Sequence, residues 1–121
     1  MKENIIKTKS FAFSIRIVRL YQYLCDHRKE LVMSKQLLRC GTSVGALISE
    51  SEQAESRPDF IHKLGVAQKE INETIYWLEL LRATEYLTES EFKSIHQNAI
   101  EIFKMLTSII KSAKSINKIN N

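Results

Sequence analysis

The sequence predicts an all-α protein, an up-down antiparallel four-helix bundle. Apolar residues recur at alternating steps of three and four along two long segments, the spacing of left-handed bundle packing. The 121 residues include one proline and three glycines, with no Asn-Gly or Asp-Gly hairpin turn. Short connections between long helices make sequential neighbours antiparallel. The length suits about one domain, so we predict a single domain over residues 1–121 with frayed ends at about 1–8 and 115–121.

Capping residues place the starts of the predicted helices. Ser34 is the expected N-cap of helix 2, and Ser56 is that of helix 3, where Pro58 loses no needed donor in the first turn. Helix 4 opens with a capping box formed by Thr88 and Glu91. The predicted limits are Lys9 to Asp26 for helix 1, Ser34 to about Glu55 for helix 2, a start at Ser56 for helix 3, and Thr88 to about Lys114 for helix 4.

Helices 3 and 4 each show an apolar seam, and helices 1 and 3 carry further apolar residues outside one face. On helix 3 these further residues are Val66, Tyr76, Trp77 and Leu80. The seams comprise Leu64, Ala67, Ile71, Thr74, Leu78 and Leu81 on helix 3, and Phe92, Ile95, Ala99, Ile102, Leu106, Ile109 and Ala113 on helix 4. The apolar side chains of helix 1 cover an arc of roughly 220°, whereas a little over 100° serves a bundle core. One side of this arc holds Phe11, Ile15, Val18 and Cys25, and the adjacent side holds Phe13, Ile17, Leu20 and Leu24.

This apolar surplus predicts contact with a partner subunit. The alternative is a skewed bundle that buries more of helices 1 and 3 within one chain. The predicted oligomer interface comprises Phe13, Arg16, Ile17, Arg19, Leu20 and Leu24 on helix 1, and Val66, Glu70, Glu73, Tyr76, Trp77 and Leu80 on helix 3.

Two glycines one turn apart, Gly41 and Gly45, lie within helix 2. A glycine inside a helix costs about 1 kcal/mol relative to alanine, so both positions need a reason. We expect a neighbouring helix to approach closely there. A phosphate-binding loop is excluded because the segment lacks the Gly-Lys-Ser/Thr ending and a preceding strand.

Charge is distributed unevenly along the chain. The net charge is +4, but residues 1–40 carry nine Lys/Arg against three acids, residues 41–91 four against ten, and residues 92–121 five against one. Such asymmetry indicates a polyanionic partner or a self-complementary assembly. For assembly, we expect a head-to-tail ring contact in which Glu70 and Glu73 meet Arg16 and Arg19 of a neighbour.

Helix 4 presents a row of cations away from its apolar seam. Lys104, Lys111, Lys114 and Lys118 fall within about 80° of arc. Aligned cations can follow a phosphate backbone, so these four lysines are the predicted nucleic-acid-binding residues. The alternative is a solvated face, since no aromatic residues, recognition motif or glycine-rich loop accompany them.

The sequence contains no pattern typical of a catalytic or metal site. His27, His62 and His96 lie on different predicted helices or their ends, and no Glu-x-x-His pair occurs. Cys40 lacks a basic activator. We therefore expect no enzymatic activity, no cofactor and no metal. The two cysteines are expected to be free thiols. The absence of a signal-peptide core and of an apolar run long enough to span a membrane predicts a cytoplasmic location.

Two blocks of sequence carry a family resemblance. The first is Gln36-Leu37-Leu38-Arg39-Cys40-Gly41-Thr42-Ser43-Val44-Gly45-Ala46 with Glu50 and Asp59-Phe60-Ile61-His62-Lys63-Leu64. The second is Lys69-Glu70-Ile71-Asn72-Glu73-Thr74-Ile75-Tyr76-Trp77-Leu78-Glu79-Leu80-Leu81. The chain resembles, over residues 10–114, the bacterial four-helix-bundle proteins first noticed in intervening sequences of large-subunit ribosomal RNA genes. One departure is Leu47, where the family commonly has Asn.

This resemblance implies a ring of subunits, typically a pentamer, without known enzymatic activity. A relative of the family, the accessory variability determinant of diversity-generating retroelements, binds a reverse transcriptase and nucleic acid through a basic pentameric barrel. We therefore expect a non-enzymatic homo-oligomeric scaffold that binds RNA or DNA, as an accessory subunit of a reverse transcriptase. The alternative is an adaptor or structural oligomer that contacts only proteins.

Overall fold

The chain folds into four α-helices, as the sequence predicts. The computed structural model describes the backbone of residues 2–120 and the side chains of residues 5–116. Its helices are α1 (Lys2–His27), α2 (Met33–Ser51), α3 (Arg57–Ala83) and α4 (Glu89–Asn120), and the described residues contain no strand. Connections of five residues join consecutive helices, which makes each helix antiparallel to the next.

The helices pack in a cyclic order in which each contacts two neighbours. The contact between α2 and α3 is the most extensive, followed by those of α1 with α2 and of α3 with α4. The contact between α1 and α4 is much the least extensive, and among the described residues helices on opposite corners of the bundle do not pack together. One seam of the bundle is therefore more open than the other three.

The core consists of the predicted seams together with one side of α1 and α2. The seam residues of α3 are all buried, and Ile95, Ala99, Ile102 and Leu106 of α4 are buried with them. Phe13, Ile17 and Leu24 of α1, and Leu37, Val44 and Ile48 of α2, complete the centre. Thr74 is the polar member of the α3 seam, and its hydroxyl donates to the carbonyl oxygen of Glu70 at 2.7 Å.

Three of the predicted helix limits were wrong. Helix α1 begins at Lys2 and not at Lys9, because Ile6 and Ser10 are buried against the bundle and continue the inner face. Helix α2 ends at Ser51, before the expected Glu55. Helix α4 continues to Asn120, beyond the expected end at Lys114. Whether the ends of the chain fray stays a prediction.

The predicted caps of helices 3 and 4 are confirmed. The Ser56 side chain accepts a hydrogen bond from the Asp59 backbone N–H at 3.2 Å. The Thr88 hydroxyl accepts from the Glu91 N–H at 3.2 Å, and the Glu91 carboxylate accepts from the Thr88 N–H at 2.8 Å. These are the reciprocal bonds of a capping box.

The predicted Ser34 cap of helix 2 was wrong, because Glu30 serves that purpose. Its buried carboxylate accepts hydrogen bonds from the backbone N–H groups of Val32, Met33 and Ser34, at 3.2, 3.0 and 2.7 Å. Burial by itself raises the pKa of Glu30, but these bonds outweigh it, and the pKa lies below the ordinary 4.5. The Ser34 hydroxyl instead donates to the Glu30 carbonyl oxygen at 2.7 Å.

Candidate nucleic-acid interface and assembly surfaces

Lys104, Lys111 and Lys114 of α4 form an exposed row, and within residues 5–116 they have no ion-pair partner. The side chain of Lys118 lies outside the described residues. Residues 92–121 contain a single acid, Glu101, which pairs with Lys9 of α1 at 3.1 Å. The row therefore keeps its positive charge, as an anion-binding surface requires.

Three predicted interface residues lie inside the subunit. Phe13, Ile17 and Leu24 are at most 1% exposed and belong to the core of the single chain. Their assignment to an oligomer interface was wrong, because the bundle places this side of the helix 1 arc inward. An apolar arc of 220° is wider than one buried face, so the sequence could not decide which side was inward.

The other side of the arc is the exposed one. Phe11 is 69% exposed, Ile15 46% and Val18 38%. These three residues lie one turn apart on the outer side of α1, and we refer to them as the α1 stripe. Leu20, which the sequence assigned to the interface, is half-buried and packs against the core.

The outer face of α3 is only partly apolar. Tyr76 is 57% exposed, and Val66 and Leu80 are half-buried. Trp77 is half-buried and packs against the core, and its indole N–H donates to the Glu73 carboxylate at 3.1 Å. The α3 residue with the largest apolar exposure is therefore Tyr76 and not Trp77.

The two acidic residues predicted at the interface have a partner within the subunit. Arg39 of α2 contacts the carboxylates of Glu70 and Glu73 at 3.3 and 2.7 Å. The Trp77 indole N–H and the Arg39 guanidinium hold the pKa of Glu73 below its ordinary value. Arg39 is not among the predicted residues, because its pairing depends on how α2 and α3 lie against each other.

The two basic residues predicted at the interface differ in their contacts. The Arg16 guanidinium donates to the Ser94 hydroxyl of α4 at 3.0 Å and to the Asn98 side-chain oxygen. Arg16 thus bridges α1 to α4 and does not point outward. Arg19 is exposed, and no carboxylate contacts it among the described side chains. The predicted contact of Arg16 and Arg19 with Glu70 and Glu73 of a neighbour needs correction, since three of the four are already engaged.

The remaining candidates for chemistry are the cysteines and groups of metal-ligating side chains. Burial raises the pKa of the Cys40 thiol to about 11, so the thiol stays protonated at neutral pH. Cys40 and Cys25 are free thiols. Within the described residues, no three His, Cys, Asp or Glu side chains are grouped closely enough to hold a metal ion. In the same part of the chain, no helix is long and apolar enough to cross a membrane.

Comparison with known proteins places the chain in a family. No curated protein matches the sequence. A solved structure described as a protein with unknown function from the S23 ribosomal protein family of Bacteroides thetaiotaomicron VPI-5482 is 58% identical, with a TM-score of 0.91. The match covers 92% of this chain and 99% of that chain. Residues 2–108 match the model of the 23S rRNA-intervening sequence protein family. The chain therefore belongs to the 23S rRNA-intervening sequence protein family.

Proposed function

We propose that this protein is a non-enzymatic, cytoplasmic homo-oligomer that binds nucleic acid. The observation that carries the proposal is the α4 row of Lys104, Lys111 and Lys114, which is exposed and free of ion pairs among the described side chains. Lysines that neutralise phosphates release condensed counterions, and this supplies binding without sequence recognition. The row has no base-reading motif, so the expected binding is largely independent of sequence.

The proposed assembly is a ring, as the family resemblance implies, with five subunits. The α1 stripe supports it, because three large apolar side chains share one outward surface. In a head-to-tail contact, the α1 stripe of one subunit packs against Tyr76 and Leu80 on α3 of the next. Contacts of this kind close into rings when the rotation permits. A ring repeats the α4 row in every subunit, which multiplies the phosphate contacts.

A role beside a reverse transcriptase is part of the proposal and rests on the family resemblance alone. Its test is co-purification of the chain with a reverse transcriptase encoded nearby. Loss of that complex in a surface variant that keeps the mass of the ring would locate the contact.

The nucleic-acid proposal is tested by the salt dependence of binding to a short, labelled single-stranded RNA. Lys111→Gln/Lys114→Gln should lower the slope of log K against log salt by about 1.4, at about 0.7 per lost contact. The matched control is Lys35→Gln/Arg57→Gln, which removes the same charge from exposed residues of α2 and α3. Equal slopes for both variants would contradict the α4 row as the binding surface.

A second candidate function is a protein-only adaptor, and the exposure of the α1 stripe favours it. An adaptor needs an apolar contact surface and no polyanion. The two functions are distinguished by the same titration. If the wild-type protein binds no RNA or DNA at low salt, while Phe11→Glu abolishes capture of a protein partner, the adaptor is correct.

The ring is tested by light scattering of the wild-type protein and two variants. Phe11→Glu and Tyr76→Glu should each reduce the mass to that of one subunit while circular dichroism keeps its helical signal. Lys69→Glu on α3 is the control, because Lys69 is already exposed and charged. A wild-type protein with the mass of one subunit would contradict the ring.

A further inference from the structure

A depression of about 370 Å³ lies between α1 and α4, beside the α1 stripe. Its apolar walls are Ile15, Leu20 and Ile95. Ile95 belongs to the core and Leu20 packs against it, whereas Ile15 is 46% exposed and is a member of the α1 stripe. The exposed apolar surface of α1 therefore continues inward at this point. We refer to the cavity as the α1–α4 depression, and it has room for one large side chain.

The rim of the α1–α4 depression favours an acidic partner. Arg16, Arg19 and Glu91 line it. The partners of Arg16 are the uncharged side chains of Ser94 and Asn98, which fix the guanidinium without cancelling its charge. Arg19 contacts no carboxylate among the side chains of residues 5–116. The two arginines outweigh the single acid, so the rim is positive.

Tyr76 on α3 has the complementary features. It is 57% exposed, and its ring packs edge-on against that of Trp77 with centroids 5.2 Å apart. Trp77 packs against the core, so it holds the exposed tyrosine in a defined orientation. Glu73 and Glu79 lie about one turn before and after Tyr76 on the same helix. An oriented aromatic side chain between two acids matches an apolar depression with a positive rim.

We propose that Tyr76 of one subunit inserts into the α1–α4 depression of the next subunit, where Glu79 of the first pairs with Arg19 of the second. This inference rests on the proposed ring and states where its subunits join. Glu73 is held by Arg39 of its own subunit at 2.7 Å. Glu79 is the more available acid, because its side chain is 58% exposed and contacts His96, which is charged only when protonated.

The two surfaces lie at about the same level along the bundle. The Arg28 guanidinium, just after α1, donates to the carbonyl oxygens of Glu85 and Tyr86, just after α3, so these two helices end close to one level. Arg19 lies eight residues before the end of α1, and Tyr76 lies seven residues before the end of α3. At 1.5 Å per residue the distances are about 12 and 10 Å. The contact therefore repeats from subunit to subunit with little shift along the axis.

The position of the depression also makes the contact curve. Helices α1 and α3 occupy opposite corners of the bundle, and a contact between their outermost faces would extend subunits in a straight line. The depression instead lies between α1 and α4, roughly 45° from the α1 corner in a square bundle. Each subunit is thus turned relative to the one before it. A turn of roughly 45° or more closes a ring of at most about eight subunits, which includes the proposed five.

Chemical cross-linking tests the contact directly. We use a short bismaleimide, because the long side chains of arginine and glutamate separate their Cβ atoms by more than a disulfide allows. The background is Cys25→Ser, which removes the half-buried free thiol. Arg19→Cys/Glu79→Cys in one chain should give a ladder that ends at the mass of the closed ring. Lys35→Cys/Glu79→Cys is the control, because Lys35 is exposed on α2, and should give no ladder.

The single cysteine variants distinguish a head-to-tail contact from a two-fold one. A mixture of Arg19→Cys and Glu79→Cys chains should cross-link in pairs, because each pair joins one residue of each kind. Neither variant should cross-link by itself. A covalent dimer formed by Glu79→Cys alone would show two copies of α3 facing each other and would overturn the proposal.

The role of the aromatic ring is tested by light scattering over a dilution series. Tyr76→Ala should raise the concentration at which the ring dissociates by about ten-fold or more, because central aromatic residues carry most of the energy of an interface. Tyr76→Phe keeps the ring of the side chain and should behave like the wild type. Ile116→Ala is the control, because Ile116 is also exposed but lies near the end of α4. Circular dichroism checks that each variant stays folded.

The ion pair is tested by exchanging its charges. Arg19→Glu should raise the dissociation concentration by up to about five-fold, since exposed ion pairs contribute little. Arg19→Glu/Glu79→Arg restores opposite charges and should return the concentration toward that of the wild type. A double variant that is weaker than Arg19→Glu would contradict the pairing of these two residues.

The outcomes separate this contact from the proposed function. If the wild-type protein has the mass of one subunit at every concentration, the ring and the contact both fail, and the RNA titration still decides nucleic-acid binding. If the ring forms, but Tyr76→Ala leaves it unchanged and no ladder appears, the contact is wrong and the ring stands. A wild-type mass that keeps rising with concentration would show an open filament and would overturn the closure.

Discussion

Helix α1 makes two very different contacts, one on each side. Toward α2 the helices lie so close that a Cβ on Gly41 would stand 2.9 Å from the Ile17 side chain. A Cβ on Gly45 would stand 2.9 Å from the Ser14 hydroxyl oxygen and 3.3 Å from the Ser10 carbonyl oxygen. Toward α4 the contact is the least extensive in the bundle, and the long side chain of Arg16 bridges it.

The difference shows how side-chain size sets the distance between helices. Glycine removes the side chain that would separate α1 from α2, so residues of α1 pack directly on the α2 backbone at Gly41 and Gly45. Between α1 and α4, the long side chain of Arg16 crosses the seam and donates to Ser94 and Asn98. The tight side contributes to stability, and the open side leaves polar groups accessible to a ligand. The following predictions test this contrast, beginning with the largest expected effect.

Two phenylalanines two residues apart test which side of α1 is inward. Phe13→Ala should lower the free energy of unfolding by about 3–5 kcal/mol, because it leaves a cavity in the core. Phe11→Ala should change the stability of the folded subunit by less than about 0.5 kcal/mol, because Phe11 is 69% exposed. Urea denaturation measures both. Similar losses in the two variants would contradict the assignment of Phe13 to the core of the single chain.

Close packing of α1 on α2 predicts that a larger side chain destabilises the protein at Gly41 but not at Gly65. Gly41→Leu should lower stability by about 1–3 kcal/mol through overpacking against Ile17. Gly65 is the matched control, because a Cβ there meets nothing within 4 Å. Gly65→Ala should raise stability by up to about 1 kcal/mol through helix propensity. Thermal unfolding distinguishes them, and a Gly41→Leu protein that melts above the wild type would refute close packing at this site.

The turn that joins α1 to α2 depends on the ionised Glu30 carboxylate. Its folded-state pKa lies below the unfolded value, so its contribution is present above about pH 4.5 and is lost as the pH falls through the folded-state pKa. Glu30→Gln should cost about 1 kcal/mol at neutral pH, a typical value for a lost helix cap. The difference between the two proteins should shrink in acid. Denaturation curves across this pH range measure it, and a constant difference would show that the charge is irrelevant.

The open seam should tolerate substitution best. Asn98→Ala removes one hydrogen bond of Arg16 and should cost only about 0.5–1 kcal/mol, since Arg16 is partly exposed and water can replace the lost partner. Ser94→Ala should cost no more. If either variant is as unstable as Gly41→Leu, α1 and α4 are held together more firmly than the contrast with α2 implies.

The sequence by itself determined the features that depend on local spacing. These are the number of helices, the buried seam of α3 and most of that of α4, the Ser56 cap and the capping box of Thr88 and Glu91. Capping and periodicity involve residues within about one or two turns of each other, so they can be recognised without tertiary structure. The glycines of α2 also indicated a close approach, because their cost within a helix requires compensation.

Only the tertiary structure decided which groups meet across helices. Phe11 and Phe13 are identical in type, and the direction of the core alone makes one exposed and the other buried. Glu70 and Glu73 pair with Arg39, more than 30 residues away in sequence, because α2 and α3 bring them together. Arg16 meets Asn98 for the same reason. The physical cause is the relative rotation and register of packed helices, which sequence spacing within one helix does not specify.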